Sequence, residues 1–401
     1  MVTIDDVRAA RQRIEQDIYL SPCARSETLS RLTGCQGAYL KLDNLQMTGA
    51  YKERGALNKL LRLSPEDRAR GVIAASAGNH AQAVAYHAGR LHITATIVMP
   101  EGTPLIKVSN TRGHGAKVVL AGSSYDEAYA EARRLEVVEN RHFIHPFDDP
   151  DVIAGQGTLG LEIFEQVPEL DAVLVPVGGG GLLSGVAVAL KALRPSARVI
   201  GVEAETYPSM LASVEEGRPI TLEPSSTLAD GIAVKRPGEL TFLHVQKLVD
   251  EIVTVSEEEI ASTILYLLEK EKTVVEGAGA VGVAALMNRK VRLEGKNVVS
   301  VISGGNIDVN VVARVIERGL VREGRLARID VSLLDRPGQL ARVSQVIATQ
   351  KANVIEVHHS RAFSDRFGDA VLQLTLECRG PDHVEEILRA LRERGYPVRR
   401  V

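Results

Sequence analysis

The sequence predicts an α/β protein with an open, mostly parallel sheet architecture, followed by a small α+β domain. Two observations carry this. Short runs rich in Val and Ile alternate with longer amphipathic segments through most of the chain. Runs of that kind, without strict alternation, suit strands buried on both faces of a parallel sheet. Beyond residue 320 the rhythm changes to a βαββα order between Ile329 and Val401, the ferredoxin-like pattern of a small antiparallel sheet with helices on one face.

The elements follow in order. Val7, Ala10, Ile14 and Ile18 recur at helical spacing, with Thr3 and Asp6 placed as a capping box. Strands are expected at 38–42, 72–75, 93–98, 117–120, 172–177, 198–202 and 297–302, with helices between them such as 124–137 and, capped by Ser256, 257–268. Arg318, Arg322, Arg325 and Arg328 mark a solvated connector, with the linker itself at 323–328. Then come a run at 329–334, a helix at 339–350, runs at 354–358 and 370–376, a helix at 382–392 and a last strand at 397–401. Ligands of open parallel sheets gather at the carboxyl ends of the strands.

Composition narrows the function classes. The chain has 401 residues, 45% of them hydrophobic, with 48 basic against 51 acidic side chains. That balance excludes a disordered chain and argues against a dedicated nucleic-acid binder. No 18-residue apolar stretch is present, so no membrane-spanning helix is expected. Cys23, Cys35 and Cys378 form no CxxC pair, which argues against a disulfide framework or a zinc site. Acids at Asp5 and Asp6 and the lack of an apolar leader fit a cytoplasmic setting.

Four motifs stand at strand–turn–helix junctions. Thr48-Gly49-Ala50-Tyr51-Lys52 puts an amine at a helix start, where the helix dipole should lower its pKa and prepare it for Schiff-base chemistry. Ser76-Ala77-Gly78-Asn79-His80 follows the run ending at Ala75, and small residues there let backbone N–H groups approach a carboxylate. Gly178-Gly179-Gly180-Gly181-Leu182 follows another strand and suits a phosphate, although it is neither a GxGxxG fingerprint nor a Walker loop. Ser303-Gly304-Gly305-Asn306 follows a fourth. Each alone also suits an ordinary role: a surface lysine, an Asn-capped turn, a flexible turn, a capping serine.

In this order the four motifs resemble the fold-type II pyridoxal-phosphate enzymes, most closely the threonine dehydratase (threonine ammonia-lyase) group, over about residues 1–322. The resemblance implies a tryptophan synthase β-like fold of two open α/β subdomains, the smaller (about 47–145) inserted in the larger. It implies pyridoxal 5'-phosphate as cofactor, tethered through Lys52, with Asn79 at its phenolic oxygen, Gly178 to Leu182 around its phosphate and Ser303 at its ring nitrogen. Ser76, Ala77, Gly78, Asn79 and His80 would line the substrate carboxylate turn. A serine rather than an aspartate at the ring nitrogen makes the ring a weaker electron sink, which favours loss of a β-hydroxyl over transamination. The implied reaction is dehydration of L-threonine, and also of L-serine, to a 2-oxo acid and ammonia. The chain departs from the family at Ala50-Tyr51, where Ser-Phe is usual, and at Ala77, where racemases carry a serine. Ser209 stands where racemases carry a metal-binding acid, so no metal is expected, with Glu203 the one candidate near an ion. The alternatives are a 3-hydroxyaspartate dehydratase, a serine racemase, or an amino-acid sensor with a vestigial catalytic half.

Residues 329–401 resemble an ACT regulatory domain through Asp335-Arg336-Pro337-Gly338-Gln339-Leu340. Pro337 and Gly338 make a turn that leaves helix N–H groups free. The resemblance implies an amino-acid effector, isoleucine or valine, held at Asp335, Pro337, Gly338, Gln339, Leu340 and Asn353, and a homodimer or homotetramer.

Overall fold

The computed structural model describes residues 1–223, 225–361 and 368–401. It divides into two compact units, Met1–Ile307 and Asp308–Val401. The strands of the first unit are β1 (Cys23–Ser26), β2 (Gly37–Leu42), β3 (Val72–Ala75), β4 (Ala95–Met99), β5 (Lys117–Leu120), β6 (His142–Phe143), β7 (Ala172–Pro176), β8 (Arg198–Ala204), β9 (Glu251–Val255) and β10 (Asn297–Ile302). Among the described residues they form a six-stranded sheet, β1-β2-β10-β7-β8-β9, and a four-stranded one, β5-β4-β3-β6. Every pairing is parallel except β1 with β2.

Both sheets are covered by helices, as parallel sheets require. Val173, Val175, Val199, Val299 and Val301 pack under Leu183, Val186 and Leu190 of the helix Gly181–Leu193 and under Leu159 and Ile163 of the helix Pro150–Gln166. The smaller sheet buries Val72, Ala74, Ile97 and Met99 against Leu60, Val84 and Ala88. The helix Lys52–Arg62 crosses Pro150–Gln166 closely at two glycines: a Cβ on Gly155 would stand 2.6 Å from the Arg54 carbonyl and 2.7 Å from the Gly55 Cα. The Thr3 capping box forms, as do the Ser124 and Ser256 caps.

Below that crossing lies a buried, charge-balanced cluster. All five N–H donors of Arg54 are used: two on Asp43 (2.7 and 2.9 Å), two on Glu162 (2.5 and 2.9 Å) and one on Thr158 (3.2 Å). Lys41 spends its three on the Ser21 carbonyl, Glu162 and Gln166 (2.6, 2.6 and 2.9 Å). Burial works against the Asp43 carboxylate, but the adjoining Arg54 guanidinium outweighs it and holds its pKa below the ordinary value.

The second unit begins with the helix Val309–Arg322 and continues through β11 (Leu326–Leu334), β12 (Asn353–Ser360), β13 (Asp369–Glu377) and β14 (Val398–Arg400). The order β12-β13-β11-β14 is antiparallel throughout, the expected ferredoxin-like sheet. Val343, Ile347, Val384, Ile387 and Leu391 of its two later helices pack on Ile329, Val331, Leu372 and Leu374. The expected connector is corrected here: Arg318 and Arg322 lie on a helix, and Leu326 to Arg328 are already paired with β13. The charged residues hid an alternation, since Ala327, Ile329 and Val331 face inward. Among the described residues no helix is long and apolar enough to cross a membrane.

Removing one member of a buried, satisfied charge cluster leaves the others uncompensated. Glu162→Ala is therefore expected to destabilise the first unit by about 3–5 kcal/mol, measured by urea unfolding. Arg11→Ala, which breaks a more exposed pair with Glu165, should cost about 1 kcal/mol or less.

Candidate active site

Strands β2, β10 and β7 are adjacent and parallel, so the segments that follow them emerge on one edge of the large sheet. These are the Thr48–Lys52 turn, the Ser303–Asn306 turn and the glycine run. The Ser76–His80 turn follows β3 of the smaller sheet. Four sequence motifs distant in the chain therefore have the topology to meet, and hydrogen bonds join three of them.

The first and fourth motifs are stitched by backbone. Tyr51 N–H donates to the Ser303 carbonyl (3.0 Å), Gly305 N–H to the Gly49 carbonyl (2.9 Å), and Ala50 bridges Gly304. Gly49 has φ +76°, and a Cβ there would lie 2.6 Å from the Asn306 Oδ1. Asn306 Nδ2 donates both to the Thr48 carbonyl (2.7 Å) and to Asn79 Oδ1 (2.8 Å), which ties in the second motif. Asn79 Nδ2 in turn donates to Glu276 Oε1 (2.7 Å). Ser303 is buried at the end of β10.

Lys52 is the first residue of its helix, and its Nζ donates to the Pro146 carbonyl (2.8 Å). Its pKa is pulled down to about 8, as the sequence led one to expect, but through burial; the charge of Glu276 partly offsets the drop. His80 bonds the Ile144 carbonyl (3.0 Å), and burial, reinforced by the Lys52 charge, takes it down to about 3. The ring is therefore uncharged near neutral pH. Ser76 Oγ accepts from Gly78 N–H (3.2 Å), and a Cβ on Gly78 would meet nothing within 4 Å, so this turn borders open space.

The glycine run is needed for more than one reason. Gly180 has φ +94°, a left-handed N-cap that leaves the helix Gly181–Leu193 without a side-chain cap, its first-turn N–H groups open to an anion. Cβ atoms on Gly179 and Gly181 would strike Phe147, at 2.4 and 2.9 Å, and one on Gly178 would come 3.0 Å from Ile232 Cα. Phe147 is the neighbour of Pro146, whose carbonyl receives Lys52, so the run and the amine share one supporting segment. An amine that loses its proton near neutrality, an uncapped helix N-terminus freed by glycines, a fixed amide and a buried hydroxyl together form a donor set that fits an aldehyde carrying a phosphate.

Glu203 is engaged at a helix start. Its two oxygens accept from Met210 and Leu211 N–H groups (2.8 and 2.9 Å), capping the helix Ser209–Glu216, and burial raises its pKa to about 8 against those bonds. Among the described residues no group of three or more His, Cys, Asp or Glu is placed to hold a metal. In the second unit Gly338 (φ +88°) is a left-handed N-cap of the helix Gln339–Thr349, without a side-chain cap. Asp335 is paired with Arg361 (2.8 Å), Gln339 accepts from Tyr396 (3.1 Å), Asn353 lies at 3.4 Å from Glu377, and Leu340 is exposed.

Two site residues were passed over in the sequence. Asn306 stood in a quoted motif without a role. Glu276 carried one visible signal: a lone acid between Thr273-Val274-Val275 and the small-residue run Gly277-Ala278-Gly279-Ala280.

Comparison with known proteins bears on this arrangement. The family model described as "Pyridoxal-phosphate dependent enzyme" matches residues 14–304, and an ACT domain model matches 323–394. An L-threonine ammonia-lyase of Thermotoga maritima is 52% identical over 400 residues, covering 100% of this chain and 99% of its own. Processed threonine deaminase isoform 2 of Solanum lycopersicum superposes with TM-score 0.74 at 39% identity, over 78% of this chain and 86% of its own. Maize serine racemase superposes with TM-score 0.75 at 34% identity, over 80% and 99%.

In the cofactor-free protein, pH-dependent labelling with an amine reagent, read by peptide mass spectrometry, should give Lys52 a midpoint near 8, well below the range of surface lysines.

Proposed function

The chain belongs to the pyridoxal-phosphate dependent enzymes and carries a C-terminal ACT domain, and from that premise we propose how its residues act as an L-threonine ammonia-lyase. The reaction removes the α-proton and the β-hydroxyl of L-threonine as water. The released enamine tautomerises and hydrolyses to 2-oxobutanoate and ammonia, and L-serine gives pyruvate by the same route. The observation that carries the reading is the convergence of Lys52, Asn79 and Ser303 through the bonded turns that follow β2 and β10 of the larger sheet and β3 of the smaller one.

In this reading Lys52 holds the cofactor aldehyde, Asn79 its phenolic oxygen, Ser303 its ring nitrogen, and the N–H groups of Gly178 to Leu182 its phosphate. When bound, pyridoxal phosphate supplies an electron-withdrawing ring that makes the Cα–H bond of an amino acid acidic. Lys52, once displaced by the substrate amine, takes the α-proton. Its lowered pKa leaves a useful fraction neutral at pH 7. The N–H groups around Gly78 receive the substrate carboxylate, in the open space where no side chain intrudes. Ala77 has no proton to give on the opposite face, so elimination is expected to prevail over racemisation, despite the likeness to a serine racemase.

For the second unit we read the Gly338 turn, with Asp335, Pro337, Gln339, Leu340 and Asn353, as the place of an amino-acid effector, isoleucine or valine. The support is the uncapped helix start and the exposed Leu340. The effector acts if it binds two states of the enzyme unequally.

Purified protein should show the visible Schiff-base band and form 2-oxobutanoate from L-threonine, and Lys52→Ala should lose both. A colourless protein that yields no oxo acid from either L-threonine or L-serine rejects this reading. Chiral analysis of the serine reaction should find pyruvate with little D-serine.

A further inference from the structure

Glu276 is buried and precedes the helix Gly277–Met287. Its backbone N–H donates to the Gly304 carbonyl (3.1 Å). Its carboxylate is surrounded by the pieces of the site. Oε1 accepts from Asn79, a Cβ on Gly304 would stand 2.4 Å from it, and one on Gly231 would stand 3.3 Å from it. Gly304 thus leaves room for this carboxyl group.

The hydrogen bonds here have a fixed polarity. The Thr48 carbonyl requires a donor, so the amide nitrogen of Asn306 must face it. The second N–H of that nitrogen requires an acceptor, which is Asn79 Oδ1. Asn79 then turns its nitrogen to Glu276, and one N–H remains over. An ionised carboxylate at 276 secures this orientation, because a charged acceptor roughly doubles the strength of such a bond. A neutral carboxyl at the same place holds the amide less firmly.

Resting on the proposed roles of Lys52 and Asn79, we infer that Glu276 is a positioning residue of the reaction: its carboxylate locks the Asn79 amide from behind. The groups around it decide its protonation. Burial and the Asp230 carboxylate disfavour its charge, while the Asn79 amide, the Lys107 ammonium and the backbone N–H of Asn306 favour it, and the balance sets its pKa at about 7. The charge of Glu276 in turn favours a proton on Lys52, whose Nζ is bonded to the Pro146 carbonyl. Asp230 and Lys107 are themselves paired (3.1 Å). Protonation of Glu276 below neutrality loosens Asn79, and this loss of orientation outweighs the larger neutral fraction of Lys52 that removing the charge leaves. Activity therefore falls on the acid side of about pH 7.

The test is Glu276→Gln, which keeps the shape and removes the charge, read in three ways. In the cofactor-free chain the labelling midpoint of Lys52 should drop by roughly one pH unit, equivalent to a tenfold change in its proton affinity. In the holoenzyme the pH midpoint of the visible band should move in the same direction. With L-threonine, kcat should fall roughly tenfold and the acid limb of kcat/KM should vanish, with KM within about twofold of the unaltered enzyme's. Unchanged Lys52 and band midpoints with an unchanged pH profile overturn the inference, while the reading of the site stands. If the variant does not fold, the unaltered enzyme still decides: a kcat/KM profile flat from about pH 6 to 8, the range a group titrating near 7 must cross, overturns it. A protein that binds no pyridoxal phosphate overturns the reading of the site and this inference together.

Discussion

The buried Arg54 guanidinium is the most fully bonded anchor of the helix that begins at Lys52. Arg54 lies two residues beyond Lys52, at the crossing of two helices that touch through Gly55 and Gly155. Its five bonds reach Asp43, just beyond β2, and Thr158 and Glu162 on the facing helix. The helix that begins with Lys52 therefore has little freedom to slide or rotate. The cost of burying four charges is offset by their mutual neutrality and by the full use of their hydrogen bonds. The gain is positional: an amine at a helix start stays where the turns after β10 and β3 can meet it.

Around that fixed amine, charge is managed mainly by burial. Lys52 is lowered to about 8 by desolvation, Glu276 is raised to about 7, and His80 is kept neutral. An acid and a base with pKa values brought toward neutrality from opposite sides are a common arrangement where a proton must move at pH 7. The hydrogen-bonded amides of Asn79 and Asn306 carry no net charge, so they orient the site without disturbing that balance.

Much of the fold was legible in the sequence. Runs such as Val72–Ala75 and Asn297–Ile302 are short, mostly apolar and rich in Val and Ile, a pattern that suits a parallel strand covered on both faces. Other elements were hidden for physical reasons. β1 is a short edge strand with two exposed residues, β6 has two residues, and β9 is a half-buried edge, so none has a continuous apolar signature. The strand start at Leu326–Arg328 was masked by its charge: Arg328 is exposed between buried Ala327 and Ile329, and Arg325 stands just before the strand. Among site residues, those following strands were visible because glycine and asparagine cluster there. Glu276 was not: its role comes from partners 197 positions away at Asn79 and from the space left by Gly304. The cause of the Lys52 shift was likewise out of reach, since burial is a property of the assembled sheets.

The segment Ile144–Asp148 has a bearing on how this chain can vary over evolutionary time. Ile144 anchors the His80 ring, Pro146 accepts from the amine, Phe147 lies against Gly179 and Gly181, and Asp148 accepts from the N–H groups of Glu239 and Thr241. Four of these five consecutive residues thus act as a shared strut between structures contributed by distant stretches of chain. Bulk added at position 179 or 181 can be accommodated only by bulk removed at 147, and a smaller ring at 147 would loosen the cradle that the glycines shape. These positions should therefore drift as a linked set rather than one at a time.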